Sequence, residues 1–378
     1  MCIPVVSPGR DSSSKLFNKP FFTLPQLGLV LLCAAWLVPG LVGHAPWKGG
    51  DGEYFVQFWS LLQSGASPQS VPATPPLYYW VAMATAWLTA SFLPLAEGAR
   101  LASGLFVALA LIFVGRTARA LYGAEASWAS ALTLLGCLGL LVRGHELNAA
   151  TAQFAAASIM LYGLACLPRD LRSSWTLAAG VVLMLLAGGA AEALLFLLLA
   201  GGLMILLADY RTPVARRALA WGVGLACVAG GAWLTYLAAQ SIPFARALNL
   251  QRWIGDGGQN PAYYPSILGW YAWPAWPLAA WALYRSRQWL TPGVVLPLGA
   301  LLGLLGLYAF DAHPAEEQGL VLLLPLALLG GAGVFTLRRG ASSALLWFSV
   351  MLFGFIALVF WVYWSAHDLG TPARLADD

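Results

Sequence analysis

Long apolar runs separated by short polar turns form the dominant pattern of this sequence between residues 24 and 364. Apolar stretches of about 18 residues or more recur along the chain, and a helix of that length crosses the hydrocarbon core of a bilayer. The basic residues sit singly or in pairs between these runs. The pattern therefore predicts an all-α polytopic membrane protein with about eleven transmembrane helices.

The basic residues also orient the predicted helices, because Lys and Arg are retained on the cytoplasmic side of a membrane. The basic clusters are Arg10/Lys15/Lys19, Arg116/Arg119, Arg169/Arg172, Arg211/Arg216/Arg217, Arg285/Arg287 and Arg338/Arg339. From the second cluster onward, two apolar runs separate each cluster from the next. The turns between the paired runs are poor in Lys and are assigned to the outer side: 143–150, 188–192, 240–264 and 311–318.

The first part of the chain departs from this alternation. The apolar run 24–43 leads outward, yet two further runs, 77–95 and 100–115, precede the basic pair that begins at Arg116. If both runs crossed the membrane, Arg116 would lie outside. We therefore expect 77–95 to be an interfacial or re-entrant helix, with the N-terminus inside and the C-terminus outside.

These assignments divide the chain into one membrane domain with two short tails. We expect a cytoplasmic tail 1–23, a transmembrane domain 24–365 whose first outer loop 44–99 contains interfacial helices, and an outer tail 366–378. The long loops and most loop carboxylates then face the outer side. Any chemistry is therefore expected there.

Composition narrows the classes of function. Of the residues, 60% are hydrophobic and only 10% are charged, against roughly 25% charged in a soluble domain. The 18 Trp residues suit membrane–water interfaces. The net charge of +4 comes from scattered basic residues, so we expect membrane lipids as partners and no nucleic acid.

The first outer loop contains an acidic pair, Asp51 and Glu53, set among glycines before an amphipathic segment. Two carboxylates at this spacing suit a divalent cation such as Mg or Mn, held through hard oxygen ligands. Alternatively, one carboxylate serves as general base on an acceptor hydroxyl. The simpler interpretation is structural: Asp51 caps the following helix, and Glu53 lies in the first turn of that helix.

Several short motifs follow one another along most of the chain. They are Asp51-Gly52-Glu53-Tyr54, Ser64-Gly65, Pro75-Pro76-Leu77-Tyr78-Tyr79-Trp80, Ala99-Arg100-Leu101-Ala102-Ser103, Tyr263-Tyr264-Pro265, Trp273-Pro274-Ala275-Trp276-Pro277 and Leu322-Leu323-Leu324-Pro325-Leu326-Ala327-Leu328. Each motif is weak alone, but their order resembles the GT-C class of membrane glycosyltransferases. The resemblance is to the bacterial aminoarabinose-transferase and protein O-mannosyltransferase-like group (glycosyltransferase family 39-like).

The resemblance implies an enzyme that takes a sugar from a polyprenyl-phosphate carrier. The sugar would be placed on a lipid, glycan or protein acceptor at the outer face of the bacterial inner membrane. On the same resemblance Asp51 is the catalytic acidic residue, and Tyr54 belongs to the donor-binding side of the site. A divalent cation is the only cofactor expected.

The chain departs from the family pattern where the family has a lysine before Pro-Pro, because Thr74 stands there. A cation for the donor phosphate must then come from elsewhere on the outer side. Arginine suits phosphate because it forms two parallel hydrogen bonds. We expect Arg252 first and Arg100 next to bind the donor phosphate. The remaining candidates are Lys48, Arg143 and Arg246.

A second departure concerns the family's second acidic residue, which should fall near 144–151. No Asp is present there, and Glu146 or Asn148 takes its place. Glu146 is therefore a further catalytic candidate. Glu192 lies close to the membrane, where a carboxylate is a functional candidate by default, but an exposed turn explains it equally well.

Two other functions remain open from the sequence. A polyprenyl-lipid flippase would show internal repeats and ionisable residues near the middle of its helices, whereas the carboxylates here lie at helix ends and in loops. A catalytically degenerate family member acting as a membrane partner is favoured by the missing lysine and the missing second Asp.

Overall fold

The computed structural model describes residues 24–46, 49–63, 75–253, 260–369 and 371. The described residues form helices and turns, with no β-strand among them. Of the segments singled out in the sequence, the following lie outside the described residues: the tail 1–23, Lys48, Ser64-Gly65, Thr74 and most of the tail 366–378.

The α-helices of the described residues follow in a simple order. The first eight are α1 (Leu24–Leu37), α2 (Gly49–Gln63), α3 (Pro76–Thr89), α4 (Leu95–Tyr122), α5 (Ala124–Leu135), α6 (Leu138–Arg143), α7 (Ala150–Cys166) and α8 (Ser173–Leu186). The next eight are α9 (Ala190–Leu206), α10 (Pro213–Ala239), α11 (Phe244–Ala247), α12 (Tyr263–Tyr271), α13 (Ala275–Arg285), α14 (Pro292–Tyr308), α15 (Leu320–Val334) and α16 (Arg339–Leu369). Short 3-10 helices occupy Ala208–Arg211, Leu250–Trp253 and Glu316–Gly319.

The passages that the charge pattern predicts correspond, in chain order, to these described helices: α1, α4, α5 with α6, α7, α8, α9, α10, α12 with α13, α14, α15 and α16. By length and composition, four described helices can cross a membrane: Leu95–Tyr122, Pro213–Ala239, Glu316–Val334 and Arg339–Ala366. Shorter apolar helices, α7, α8, α9 and α14, complete the bundle. The predicted all-α polytopic fold class is confirmed.

The turns that carry the basic clusters after α4 meet at one end of the bundle, called here the basic end. The Tyr122 hydroxyl, at the end of α4, donates a hydrogen bond to the carbonyl of Gly293, at the start of α14, at 2.6 Å. Arg169, after α7, donates to the carbonyl of Ala120 in α4. The intervening turns meet at the other end, called here the acidic end, through the ion pairs described below.

Helix α3 remains at the acidic end. Near its start, the Tyr78 hydroxyl shares a hydrogen bond of 2.8 Å with the hydroxyl of Ser103 in α4. Near its end, Ala86 packs against Gly98, where an added Cβ would lie 3.0 Å from the Ala86 Cα. Helix α3 therefore lies along the first turns of α4 and does not reach the basic end, as the charge pattern predicted for this run.

The turn between α3 and α4 offers a test of orientation, because Ser91 in that turn is exposed. In a cysteine-free background, we expect Ser91→Cys to react with an impermeant maleimide added outside intact cells, since the charge pattern predicts that the acidic end faces outward. Gln288→Cys, exposed near the basic end, should react only after the membrane is opened. The reverse result would contradict the predicted orientation.

Helix α15 forms the centre of the bundle, and its residues from Leu320 to Leu329 are almost completely buried. Small residues allow its close approach to α5, since a Cβ on Gly331 would lie 2.0 Å from the Ser130 hydroxyl oxygen. Because α15 is fixed at the centre, the loop immediately before it is held in the middle of the acidic end.

Candidate functional site at the acidic end

Asp51 is fully buried at the start of α2. The Arg100 guanidinium donates to Asp51 Oδ2 at 3.0 Å, and the backbone N–H of Leu147 donates to Oδ1 at 2.7 Å. Arg100 is equally buried and also donates to the carbonyls of Leu41 and His44, at 3.3 and 3.1 Å. Asp51 therefore joins the first outer loop to α4 and to the turn that follows α6.

The acidic pair of the first outer loop does not converge on one position in this structure. Both oxygens of Asp51 accept hydrogen bonds from groups outside α2, while Glu53 is exposed. Residues two apart on a helix face different directions. The charge of Arg100 is balanced by Asp51 inside the protein, so its guanidinium is not open to a donor phosphate here.

A polar network continues from Asp51 to the start of α7. The backbone N–H of Asn148 donates to the Tyr78 hydroxyl at 3.0 Å, and the Asn148 side-chain oxygen accepts from the N–H of Ala150 at 2.9 Å. Burial raises the pKa of Tyr78 to about 12, so its hydroxyl remains protonated. The Asn148 side chain thus binds the backbone at the start of α7.

Arg143, at the end of α6, joins two outer turns. It donates to Glu146 Oε2 at 3.0 Å and to Glu316 Oε2 at 2.6 Å. The Arg143 and Glu316 side chains are 20% and 35% exposed, so this ion pair is open to solvent, in contrast to the one at Asp51. Beside it lies Tyr54 of α2, close enough to Glu317 for that carboxylate to raise the pKa of the Tyr54 hydroxyl. These five residues are called here the outer cluster.

The environment of Tyr54 fixes its protonation. Burial raises the pKa of the Tyr54 hydroxyl, and the nearby Glu317 carboxylate raises it further. The neutral hydroxyl therefore remains available as a hydrogen-bond donor. Through this contact the first outer loop is joined to the 3-10 helix Glu316–Gly319, which precedes α15.

Arg252, on the 3-10 helix Leu250–Trp253, lies in a second, closed cluster. Its guanidinium contacts Glu192 at 2.9 Å and Asp311 at 2.6 Å, and all three side chains are at most 4% exposed. The Tyr264 hydroxyl donates to Asp311 at 3.0 Å. The guanidinium carbon also lies 4.6 Å from the centre of the Tyr308 ring, within the range of cation–π attraction.

The charge of Arg252 is therefore already balanced inside the protein. Burial lowers the pKa of its guanidinium, but Tyr308, Glu192 and Asp311 raise it by more, so the net pKa lies above its ordinary value. Arg252 remains a cation, with carboxylates on two elements as its partners. The predicted phosphate contact would require it to exchange one of these carboxylates for a phosphate.

The sequence places Tyr264 in a motif and predicts the turn 311–318 on the outer side, but it predicts no role in the site for Glu316, Glu317, Asp311 or Tyr264. A signal was present, because Asp311, Glu316 and Glu317 are three carboxylates in one predicted outer turn, 311–318. Together the two clusters hold more carboxylates than guanidinium groups: Glu146, Glu316, Glu317, Glu192 and Asp311 against Arg143 and Arg252. The described acidic end therefore carries excess negative charge.

A metal site enclosed by protein ligands is not formed by these carboxylates. Among the residues that the structure describes, no three His, Cys, Asp or Glu side chains are grouped so that they could hold a metal ion. Glu146 and Glu316 are instead bridged by Arg143. A divalent cation would need further ligands from a substrate or from water.

Solved structures share this architecture. ArnT from Cupriavidus metallidurans bound to undecaprenyl phosphate has a TM-score of 0.67, and its apo state has 0.63, both at 18% sequence identity and covering 91% of this chain. The chain spans 65% of the length of these ArnT structures. The archaeal oligosaccharyltransferase AglB from Archaeoglobus fulgidus, in complex with an inhibitory peptide and a dolichol-phosphate, has a TM-score of 0.49 at 12% identity, covering 86% of this chain and 54% of its own.

No family model and no curated protein sequence matches the chain. The shared architecture nevertheless extends over nine-tenths of it. The chain therefore shares the fold of the ArnT structures.

Proposed function

We propose that the chain is a membrane glycosyltransferase that moves a sugar from a polyprenyl-phosphate donor to a hydroxyl of a lipid, glycan or protein. The observation that carries this proposal is the outer cluster, in which Arg143 joins Glu146 to Glu316 beside Tyr54 and Glu317. Three loops distant in sequence thus place acidic, basic and phenolic groups together. They do so in a fold shared with a protein solved with undecaprenyl phosphate.

In this proposal Glu146 is the general base, and Asp51 is a positioning residue. Glu146 takes the proton from the acceptor hydroxyl, whose oxygen forms a bond to the anomeric carbon of the sugar. The bond between that carbon and the phosphate oxygen breaks, and polyprenyl phosphate leaves with the electron pair. Asp51 holds the N–H of Leu147, the residue next to Glu146, and so fixes the backbone that carries the base.

The leaving phosphate adds negative charge to a cluster that already has an excess of carboxylates. Arg143 supplies one positive charge, and Tyr54 supplies a hydroxyl donor. The carboxylate oxygens of this cluster fit a divalent cation, Mg or Mn, whose remaining ligands are phosphate and water. Mg typically binds one or two carboxylates together with substrate phosphate. Glu316 and Glu317 are the residues that would hold it. Such a cation would offset the charge of the leaving group.

The site belongs on the outer face if the basic end is cytoplasmic. Arg252 and Arg100 do not contact the donor phosphate in this proposal, because both are buried in ion pairs. Lys48 lies outside the described residues, and its contact with the donor phosphate stays a prediction from the sequence. This arrangement suits the inner membrane of a bacterium, with the site toward the periplasm.

Glu146→Gln tests this function. In vesicles with the purified protein and a mixed pool of polyprenyl-phosphate sugars, wild type should release polyprenyl phosphate, measured by mass spectrometry. Loss of the base should lower the rate roughly a hundredfold or more. Folding should be retained because Arg143 keeps Glu316 as partner. Glu125→Gln, an exposed carboxylate near the basic end, is the control and should match wild type; equal rates for both variants would exclude Glu146 as the base.

One observation favours a second candidate function. In it the protein is a non-catalytic membrane partner that still binds the polyprenyl-phosphate carrier. The described guanidinium groups Arg100, Arg143 and Arg252 are all paired with carboxylates, and the family's lysine is replaced by Thr74. In the same assay this candidate predicts that polyprenyl phosphate binds to the wild type but that no sugar donor is consumed.

A further inference from the structure

A cavity of ≈ 740 Å³ opens at the basic end, far from the outer cluster. Its walls come from the end of α4, the turns after α7 and α9, the end of α13, the start of α14 and the end of α15. These are the turns that the charge pattern assigns to the cytoplasmic side. Nothing in the proposed transfer reaction uses this cavity.

The lining combines apolar walls with a charged rim. Leu121, Leu283, Val294 and Leu329 contribute to the walls. Arg169 and Arg285 lie at the rim with their side chains exposed, together with one carboxylate, Asp209. The two guanidinium groups outnumber the carboxylate, and the N-terminal turn of α14 in the wall adds the positive end of a helix dipole. The cavity therefore suits an amphiphile with an anionic head and an apolar tail.

Side chains next to Arg285 place the cavity at the membrane surface. Tyr284, Trp289 and Leu290 are 79%, 52% and 70% exposed. Aromatic residues of this kind collect where headgroups meet acyl chains. A rim at that depth is level with lipid phosphates, so a lipid fits the cavity better than a soluble anion does.

We propose that this cavity binds an anionic phospholipid. The lipid phosphate lies between Arg169 and Arg285, and an acyl chain follows the wall formed by Leu121, Leu283 and Leu329. Guanidinium groups bind phosphate oxygens through paired hydrogen bonds. Anionic lipids are concentrated in the cytoplasmic leaflet, where basic residues near the surface attract them.

The test compares two double variants of the full chain that lose the same charge from the same turns. Arg169→Gln/Arg285→Gln removes the rim cations, whereas Arg172→Gln/Arg287→Gln removes exposed neighbours that do not line the cavity. Binding of dioctanoyl phosphatidylglycerol is measured by native mass spectrometry. We expect roughly thirtyfold weaker binding in the rim variant, from two cation contacts, and little change in the control variant.

Three further arms decide the class of ligand. Dioctanoyl phosphatidylcholine should bind the wild type more weakly than phosphatidylglycerol does. Ala332→Leu, which narrows the cavity without a change of charge, should weaken phosphatidylglycerol binding while both arginines remain. Equal losses in the two double variants, or unchanged binding in Ala332→Leu, would overturn the proposal. Displacement of the lipid by inorganic phosphate at equal concentration would show a free-anion site and overturn the assignment to a lipid.

Discussion

Replacing Asp51 with asparagine is expected to lower the free energy of unfolding by about 3–5 kcal/mol, the range seen when one partner of a buried ion pair is removed. Arg100 is completely buried, and the Asp51 carboxylate is the acid that pairs with it. Without that carboxylate the described partners of the guanidinium are two neutral carbonyls, those of Leu41 and His44. Equilibrium unfolding in mixed micelles with a denaturing detergent measures the change.

Two further variants separate the ion pair from a general surface effect. Glu53→Gln, an exposed carboxylate on the same helix, should unfold like wild type. Asp51→Asn/Arg100→Gln should be more stable than the sum of its single variants predicts, because it leaves no unbalanced charge. If Asp51→Asn is as stable as Glu53→Gln, the buried pair does not hold the first outer loop. A stable double variant with wild-type transferase activity would overturn the positioning role proposed for Asp51.

The fold was predictable because its main determinants are local. Hydrocarbon thickness sets the length of an apolar run, and retention of Lys and Arg sorts the turns into two groups. These two rules predicted about eleven membrane passages. They also predicted that residues 77–95 do not cross the membrane. They could not separate the buried α15 from the exposed α16, because both are apolar along their length and differ only in their neighbours.

The site was predictable in its location but not in its pairings. The sequence placed Asp51, Glu146 and the late outer turn on one side, and the structure brings these turns together. It could not show that Asp51 pairs with Arg100, or that Arg143 reaches Glu316. Such pairings depend on how distant helices pack side by side. Periodicity and charge counts carry no information about that packing.

The two clusters differ in exposure to solvent, which the sequence could not predict either. Arg143 and Arg252 both lie at the acidic end and both have two carboxylate partners. Arg143 is partly exposed and therefore able to exchange a partner for a ligand, whereas Arg252 is closed off by Tyr264 and Tyr308. Exposure, which only the packed structure provides, distinguishes a candidate binding group from a structural one.

Removal of the buried cation at Arg252 is expected to destabilise the protein by about 3–5 kcal/mol, because two buried carboxylates would lose their counter-charge. Glu192 on α9 and Asp311 after α14 would then face each other without a cation. Arg252→Gln tests this, measured by equilibrium unfolding in mixed micelles. Arg252→Lys should fall between wild type and Arg252→Gln, since an ammonium keeps the charge but lacks the planar fork that serves both carboxylates.

The stability of Arg252→Gln should change with pH in a defined direction. A buried carboxylate that has lost its cation favours its protonated form, so the folded variant binds more protons than its unfolded chain does. Its stability should therefore fall as the pH rises from about 5 to about 8, more steeply than that of wild type. Arg287→Gln, which removes an exposed arginine near the basic end, should follow the wild-type profile. If Arg252→Gln is destabilised equally at both pH values, the loss reflects packing against Trp253 and Tyr308 and not the unbalanced carboxylates.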